Sequence, residues 1–151
     1  MKAIIFILSI LFSSTFVLGQ AYNMAIGIKG GYPGYGSINA KRFLNANNAL
    51  EANLGSGRYG FWIQGLYEWQ HNLPTPGMQW YVGVGPNIGL QSSALSNGST
   101  FYLSGSGLLG IEYTFENIPL NIALDLGPVI QLAPVFGFGW GGGAAARYVF
   151  N

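Results

Sequence analysis

A chain of 151 residues with no cysteine excludes disulfide scaffolds and thiolate metal centres. Only 7% of its side chains are charged, against half that are apolar, and an ordinary soluble domain with about a quarter of its residues charged stays dispersed far more easily. Six Lys and Arg against five Asp and Glu give a formal charge of +1, which offers no field to a polyanion, so no nucleic-acid partner is expected.

The first element reads as a cleaved export signal covering residues 1–19. Lys2 is a short positive start, and Ala3 to Leu18 form an apolar run broken by Ser9, Ser13, Ser14 and Thr15. Val17, Leu18 and Gly19 then set a small residue before Gln20. An uncleaved anchor is the alternative, but no basic stop-transfer flank follows. No Cys follows either, which excludes a lipid-anchored lipoprotein. Residues 20–151 make one domain. No later segment keeps about 20 apolar residues together, as a spanning helix requires.

Alternation with period two then predicts eight strands bounded by turn-forming residues. Tyr22 to Gly31 sends Tyr22, Met24, Ile26 and Ile28 one way and Asn23, Gly27 and Lys29 the other, before a turn over Tyr32 to Tyr35. Ser37 to Leu44 puts Ser37, Asn39, Lys41 and Phe43 on the polar side. After a turn at Asn45 to Asn48, the short strand Ala49 to Gly55 places Glu51 and Asn53 there. Gly55 to Arg58 leads to Tyr59 to Gln70, where Tyr59, Phe61, Ile63, Tyr67 and Trp69 oppose Gln64 and Glu68. Past the turn from His71 to Gly77, Met78, Trp80, Val82, Val84, Pro86, Ile88 and Leu90 oppose Gln79, Tyr81, Gly83, Gly85, Asn87 and Gly89. Gln91 to Thr100 is polar and reads as a loop. Phe101 to Phe115 turns Leu103, Leu109, Ile111 and Tyr113 away from Ser104, Ser106, Glu112 and Thr114. Ile118 to Gln131 turns Ile118, Leu120, Ile122, Leu124 and Leu126 away from Asn121 and Asp125. Gly137 to Phe150 turns Phe138, Trp140, Tyr148 and Phe150 away from Arg147. The second and third segments are the shortest, which leaves a six-stranded assignment open. Pro86 and Pro128 lack a ladder donor and are expected near membrane edges or bulges.

Two closed architectures fit such a pattern: a soluble lipocalin-like barrel with an apolar interior, and a transmembrane barrel with a polar one. The polar phase is rich in Gly, Ser, Asn and Gln and sparse in charge, which suits a filled interior better than a wet exterior. Aromatics collect near strand ends on the apolar phase, as two interfacial girdles require. Gly83, Gly85, Gly89, Gly137, Gly139, Gly141 and Gly143 fall on the inner phase, leaving room for Trp62, Tyr81 and Tyr102 in an eight-stranded lumen that side chains just fill. The expected fold is therefore all-β: a closed, antiparallel, up-and-down transmembrane β-barrel, and closure is obligatory in lipid.

Seven charged residues share the inner phase: Lys29, Lys41, Glu51, Glu68, Glu112, Asp125 and Arg147. Buried charges must be paired. Lys41 with Glu51, and Arg147 with Asp125 or Glu112, are the expected pairs, with Lys29 and Asp125 higher in the lumen than the rest. This network is either a plug that fixes strand register or a gate or proton-binding site in a channel; the plug fits eight strands better. Elsewhere, Arg42, Arg58 and Glu116 fall at strand ends, where they snorkel. His71 sits in a turn without a nucleophile beside it. Gly27 to Gly30 and Gly83 to Gly85 lack the helix of a phosphate loop.

Several pieces of the chain carry a family resemblance: Lys41, Arg42 and Phe43; Ala49, Leu50 and Glu51; Gly65 to Glu68; Trp80 to Gly85; Gly110 to Asn121; Asp125 with Pro128; and Arg147 to Phe150. From Ile26 to Phe150 the chain resembles small eight-stranded outer-membrane barrel proteins, a porin-like family mostly without assigned function. The resemblance implies the outer membrane of a Gram-negative cell and contact with its lipid. It also implies assembly by the outer-membrane insertion machinery, which reads an aromatic-ending last strand, here Tyr148 and Phe150, with Asn151 as a one-residue departure. It carries over no catalytic, cofactor-binding or metal-binding residue. The expectation is a monomeric structural or interaction barrel, not an enzyme, with a plugged lumen. A narrow porin-like channel and a secreted ligand-binding barrel are the alternatives.

Overall fold

A computed structural model describes residues 22–32, 34–57, 60–92 and 98–150. The expected leader, together with Pro33, Arg58, Tyr59, Ser93 to Asn97 and Asn151, lies outside them. Eight strands follow in order: β1 (Met24–Gly31), β2 (Gly34–Asn45), β3 (Asn48–Gly57), β4 (Gly60–Asn72), β5 (Met78–Ser92), β6 (Ser99–Thr114), β7 (Leu120–Ala133) and β8 (Gly137–Phe150). Each pairs antiparallel with the next, and β8 returns to β1 from Met24↔Phe150 to Gly31↔Gly143, closing the barrel. Closure leaves no unpaired edge.

The six-stranded assignment falls away. β2 and β3 run for 12 and 10 residues because their ladders extend through residues with no apolar side chain, as at Gly31↔Gly34 and Gly57↔Gly60. The same reason overturns part of the loop expected at Gln91 to Thr100. Gln91↔Thr100 and Ser92↔Ser99 are ladder pairs, since backbone hydrogen bonding is indifferent to side-chain polarity. Ile118, expected on β7, lies in the preceding turn, where Leu120 N–H donates to Ile118 C=O at 2.7 Å and Pro119 has no donor of its own. Pro86 and Pro128 are also placed differently from the expectation, for they sit mid-strand with no register shift at either. Instead, the β4–β5 ladder skips from Gln64↔Asn87 to Tyr67↔Val84, and the β6–β7 ladder from Ser106↔Val129 to Leu109↔Leu126. Each proline keeps its place on the other side, opposite Gly105 and Trp140.

Side-chain direction follows the alternation. Ile28, Leu109, Leu124 and Leu126 are more than 60% exposed on the outer face, whereas Lys41, Glu68, Asn39, Asn121 and Tyr81 are fully buried within. Tyr22 is the exception to the expected phase, for it is buried. Strand β1 begins only at Met24, and the bend at Asn23 breaks the period-two rule before it reaches Tyr22.

Candidate functional site: the lumen

The interior is stacked in layers. Below, the lower end is the one where β1 begins and β8 ends. There, Tyr22, Ala25, Phe43, Ala49 and Val149 form a buried apolar cluster, with the Tyr22 and Phe43 rings edge to face at 5.0 Å. This apolar floor was missed by reading the inner phase as polar. Its signal was present, because outward Tyr148 and Phe150 force Val149 inward, and outward Met24 and Ile26 do the same to Ala25.

Above the floor lies the charged layer. Lys41 Nζ sits 2.7 Å from Glu68 Oε2 and 2.6 Å from Glu112 Oε2, and 4.5 Å from the centre of the Tyr81 ring, close enough for cation–π attraction. Arg147 reaches Glu51 Oε2 through Nη2 at 2.5 Å and Glu112 Oε2 through Nη1 at 3.5 Å. It also donates from Nη1 to Asn121 at 2.8 Å and from Nε to Asn39. Its guanidinium thus ties β8 to β2, β3, β6 and β7, a fork no ammonium could match. Lys29 Nζ bridges Glu51 Oε1 at 2.8 Å and Asp125 Oδ2 at 2.6 Å. Asp125 also accepts from Tyr81 OH at 2.8 Å and Gly143 N–H at 3.1 Å.

All seven expected lumen charges are thus brought together, and the pairing differs in part from the expectation. Lys41 pairs with Glu68 and Glu112, not Glu51, and Arg147 pairs with Glu51 and Glu112, not Asp125. The ion pairs run as one chain of alternating sign: Asp125, Lys29, Glu51, Arg147, Glu112, Lys41, Glu68. Amides fill the remaining positions. Asn53 donates to Glu51 at 2.9 Å and to Gln64 at 3.0 Å, Asn39 donates to Asn53 at 2.6 Å, and Gln70 donates to Glu68 Oε2 at 2.7 Å.

The upper lumen carries no charge among the described residues. Asn87 donates to Ser104 at 3.0 Å and to Ser106 at 2.7 Å, and the Tyr32 hydroxyl, from the β1–β2 turn, lies 3.2 Å from Ser104 Oγ. Large rings are accommodated over glycines, though mostly not those expected. A Cβ on Gly110 would fall 2.2 Å from Tyr81 Cζ, and one on Gly55 2.4 Å from Trp62 Cζ2; of the expected set, Gly141 lies beneath Tyr32 and Gly89 against the Trp62 side chain, where a Cβ would fall 3.3 Å from Trp62 Cβ.

His71 is exposed, and its ring stacks on that of Trp80 at 4.4 Å. Among the described residues no group of three or more His, Cys, Asp or Glu could hold a metal ion. What the arrangement does chemically is cross-link: six ion pairs with side chains at most 4% exposed fasten the strands across the lumen. No family model, no curated protein and no solved structure matches the chain.

Proposed function

We propose that the protein is an integral barrel of a Gram-negative outer membrane, exported by a signal peptide over residues 1–19. Its role is structural or interaction-based, with a sealed lumen and no enzymatic activity. One observation carries the reading: large apolar side chains stand exposed around the outer wall, while the carboxylates and ammonium groups of the ion pairs among the described residues are buried inside. In water that arrangement exposes an apolar patch far beyond what a soluble monomer tolerates. In lipid it is the favourable orientation.

The outer aromatics support the same reading. Tyr67, Trp69, Trp80, Tyr113, Tyr148 and Phe150 gather toward the lower end, and Phe61, Phe101, Phe138 and Trp140 toward the upper. Along β4, Phe61 and Trp69 are eight residues apart, and along β6 Phe101 and Tyr113 are twelve. At about 3.4 Å per residue and a tilt of about 40°, these spacings correspond to roughly 21–31 Å of height, bracketing the ~25 Å apolar band of outer-membrane barrels.

A narrow porin-like channel is the weaker reading, because a conducting path would have to cross both the apolar floor and the ion-paired layer above it. The test compares boiled and unboiled protein on a denaturing gel after folding into detergent, then measures conductance in a planar bilayer. The folded barrel is expected to migrate differently from the boiled chain and to give no current steps. Identical migration, or a protein that stays dispersed without detergent, removes the membrane reading; regular current steps replace the sealed lumen with a pore.

A further inference from the structure

The alternating chain of ion pairs has a carboxylate at each end. Among the described residues the lumen therefore holds three cations, Lys29, Lys41 and Arg147, against four carboxylates, Glu51, Glu68, Glu112 and Asp125. The interior is short of one positive charge, and an uncompensated buried charge is costly.

The two ends of the chain are not equivalent. At one end both oxygens of Asp125 are occupied: Oδ2 by Lys29 and Tyr81, Oδ1 by the Gly143 amide. Glu51 and Glu112, inside the chain, also have partners on both oxygens, the second oxygen of Glu112 meeting the Tyr22 hydroxyl at 3.4 Å. At the other end Glu68 Oε2 takes Lys41 and Gln70, while Oε1 is buried with no donor. It is the one carboxylate oxygen in that condition among the described residues. Three more buried acceptors without a donor, Gln70 Oε1, Gln79 Oε1 and Asn87 Oδ1, belong to the same β4–β5 wall. The missing charge belongs to the lumen as a whole, and the missing donor singles out one atom at one end of its ion-pair chain.

We propose that Glu68 Oε1 binds one unit of positive charge, either a proton or an alkali-metal ion. Both are hard, oxygen-seeking cations, and a unit charge neutralises the lumen. The ionisable groups facing this position are Lys41 from β2, Glu51 from β3, Tyr81 from β5, Glu112 from β6 and Arg147 from β8, with Tyr22 below. The positive ones are already engaged with carboxylates, so none supplies the missing charge. The proposal needs only the closed lumen and does not depend on which solvent surrounds the wall.

Glu68→Gln provides the test, because the amide keeps an oxygen for Lys41 and offers a donor in place of the bound cation. If Glu68 acts only as the counter-ion of Lys41, its midpoint of thermal conversion to the unfolded gel band should fall as far as that of Glu51→Gln, whose oxygens both face cations. If the lumen lacks a charge, Glu68→Gln should hold or raise the midpoint while Glu51→Gln lowers it. Two measurements on the unaltered protein separate the sources. A midpoint that differs between sodium or potassium chloride and N-methylglucamine chloride at equal ionic strength, with the difference abolished by Glu68→Gln, identifies a bound metal ion. An infrared carbonyl stretch of a protonated carboxyl, lost in Glu68→Gln, identifies a proton. A Glu68→Gln midpoint as low as that of Glu51→Gln, or the absence of both signatures, overturns the proposal.

Discussion

Lys41 and Glu51 stand directly opposite each other in the β2–β3 ladder, yet their charged ends belong to different ion pairs. Lys41 crosses to Glu68 and Glu112, and Glu51 takes Lys29 and Arg147. Directly opposed residues have Cβ atoms only about 4.5–5.5 Å apart, so long side chains from adjacent strands run side by side toward the axis. There they meet groups from the far wall. A pair confined to one ladder would fix one register; the observed pairs fasten strands that are not neighbours.

Arg147 is the node of this arrangement. Removing its guanidinium leaves Glu51 Oε2 without its cation, takes one of two cations from Glu112, and leaves the amides of Asn39 and Asn121 without their donor, all in a buried setting. Arg147→Met is expected to lose about 3–5 kcal/mol of stability, the usual cost of breaking a buried pair from one side. Urea unfolding followed by tryptophan fluorescence would measure it. A loss below 1 kcal/mol would mean that the network is an ornament of folding and not one of its fasteners.

The apolar floor makes a separate contribution. Phe43 is buried against Tyr22, and Lys41 Nζ stands 5.6 Å from the Phe43 ring centre. Phe43→Ala should cost about 3–5 kcal/mol, as large aromatic truncations in packed interiors do. The variant should nevertheless remain silent in a bilayer, because the ion-paired layer above still closes the lumen. Current steps in Phe43→Ala alone would locate the seal in the floor.

The strand pattern was legible because period two is a property of the backbone, and the outer face obeys it from Ile26 on β1 to Phe150 on β8. The seven inner charges were legible for the same reason. Partner choice was not, since it depends on how far each side chain reaches across a lumen whose register is set by eight ladders at once. Nor were the strand ends legible: Gly34, Gly57, Ser92 and Ser99 carry no side-chain signal, and only the ladder shows that they are strand. Tyr22 escaped for the opposite reason, because it continues the pattern in sequence after the backbone has left the strand.

Gly110 and Tyr81 form a steric pair that neither residue announces alone. A Cβ at Gly110 would lie 2.2 Å from Tyr81 Cζ, and the ring is held by its hydrogen bond to Asp125 and by Lys41 over its face. Gly110→Ala should therefore destabilise by about 1–3 kcal/mol through overpacking. Combining it with Tyr81→Leu should restore part of the loss, with a coupling of about 0.5–3 kcal/mol in a double-mutant cycle. Strict additivity would show that the ring moves aside freely.

The outer wall offers the sharpest test of the surrounding solvent. Leu124, flanked by Ile111 on β6 and Ala144 on β8, is 61% exposed and is the fifth of the 14 residues of β7, farther from a strand end than Leu132. In water, Leu124→Lys would exchange an exposed apolar side chain for a charged one, with an effect within about 0.5 kcal/mol. At the midplane of a bilayer the same change costs about 2–4 kcal/mol, falling to about 0–1 near the interfaces. Refolding into lipid vesicles with Lys placed at Leu124, and separately at Leu132 near the upper end, should therefore give unequal penalties, larger at Leu124. Equal, negligible penalties at both positions would mean that the outer wall does not meet acyl chains.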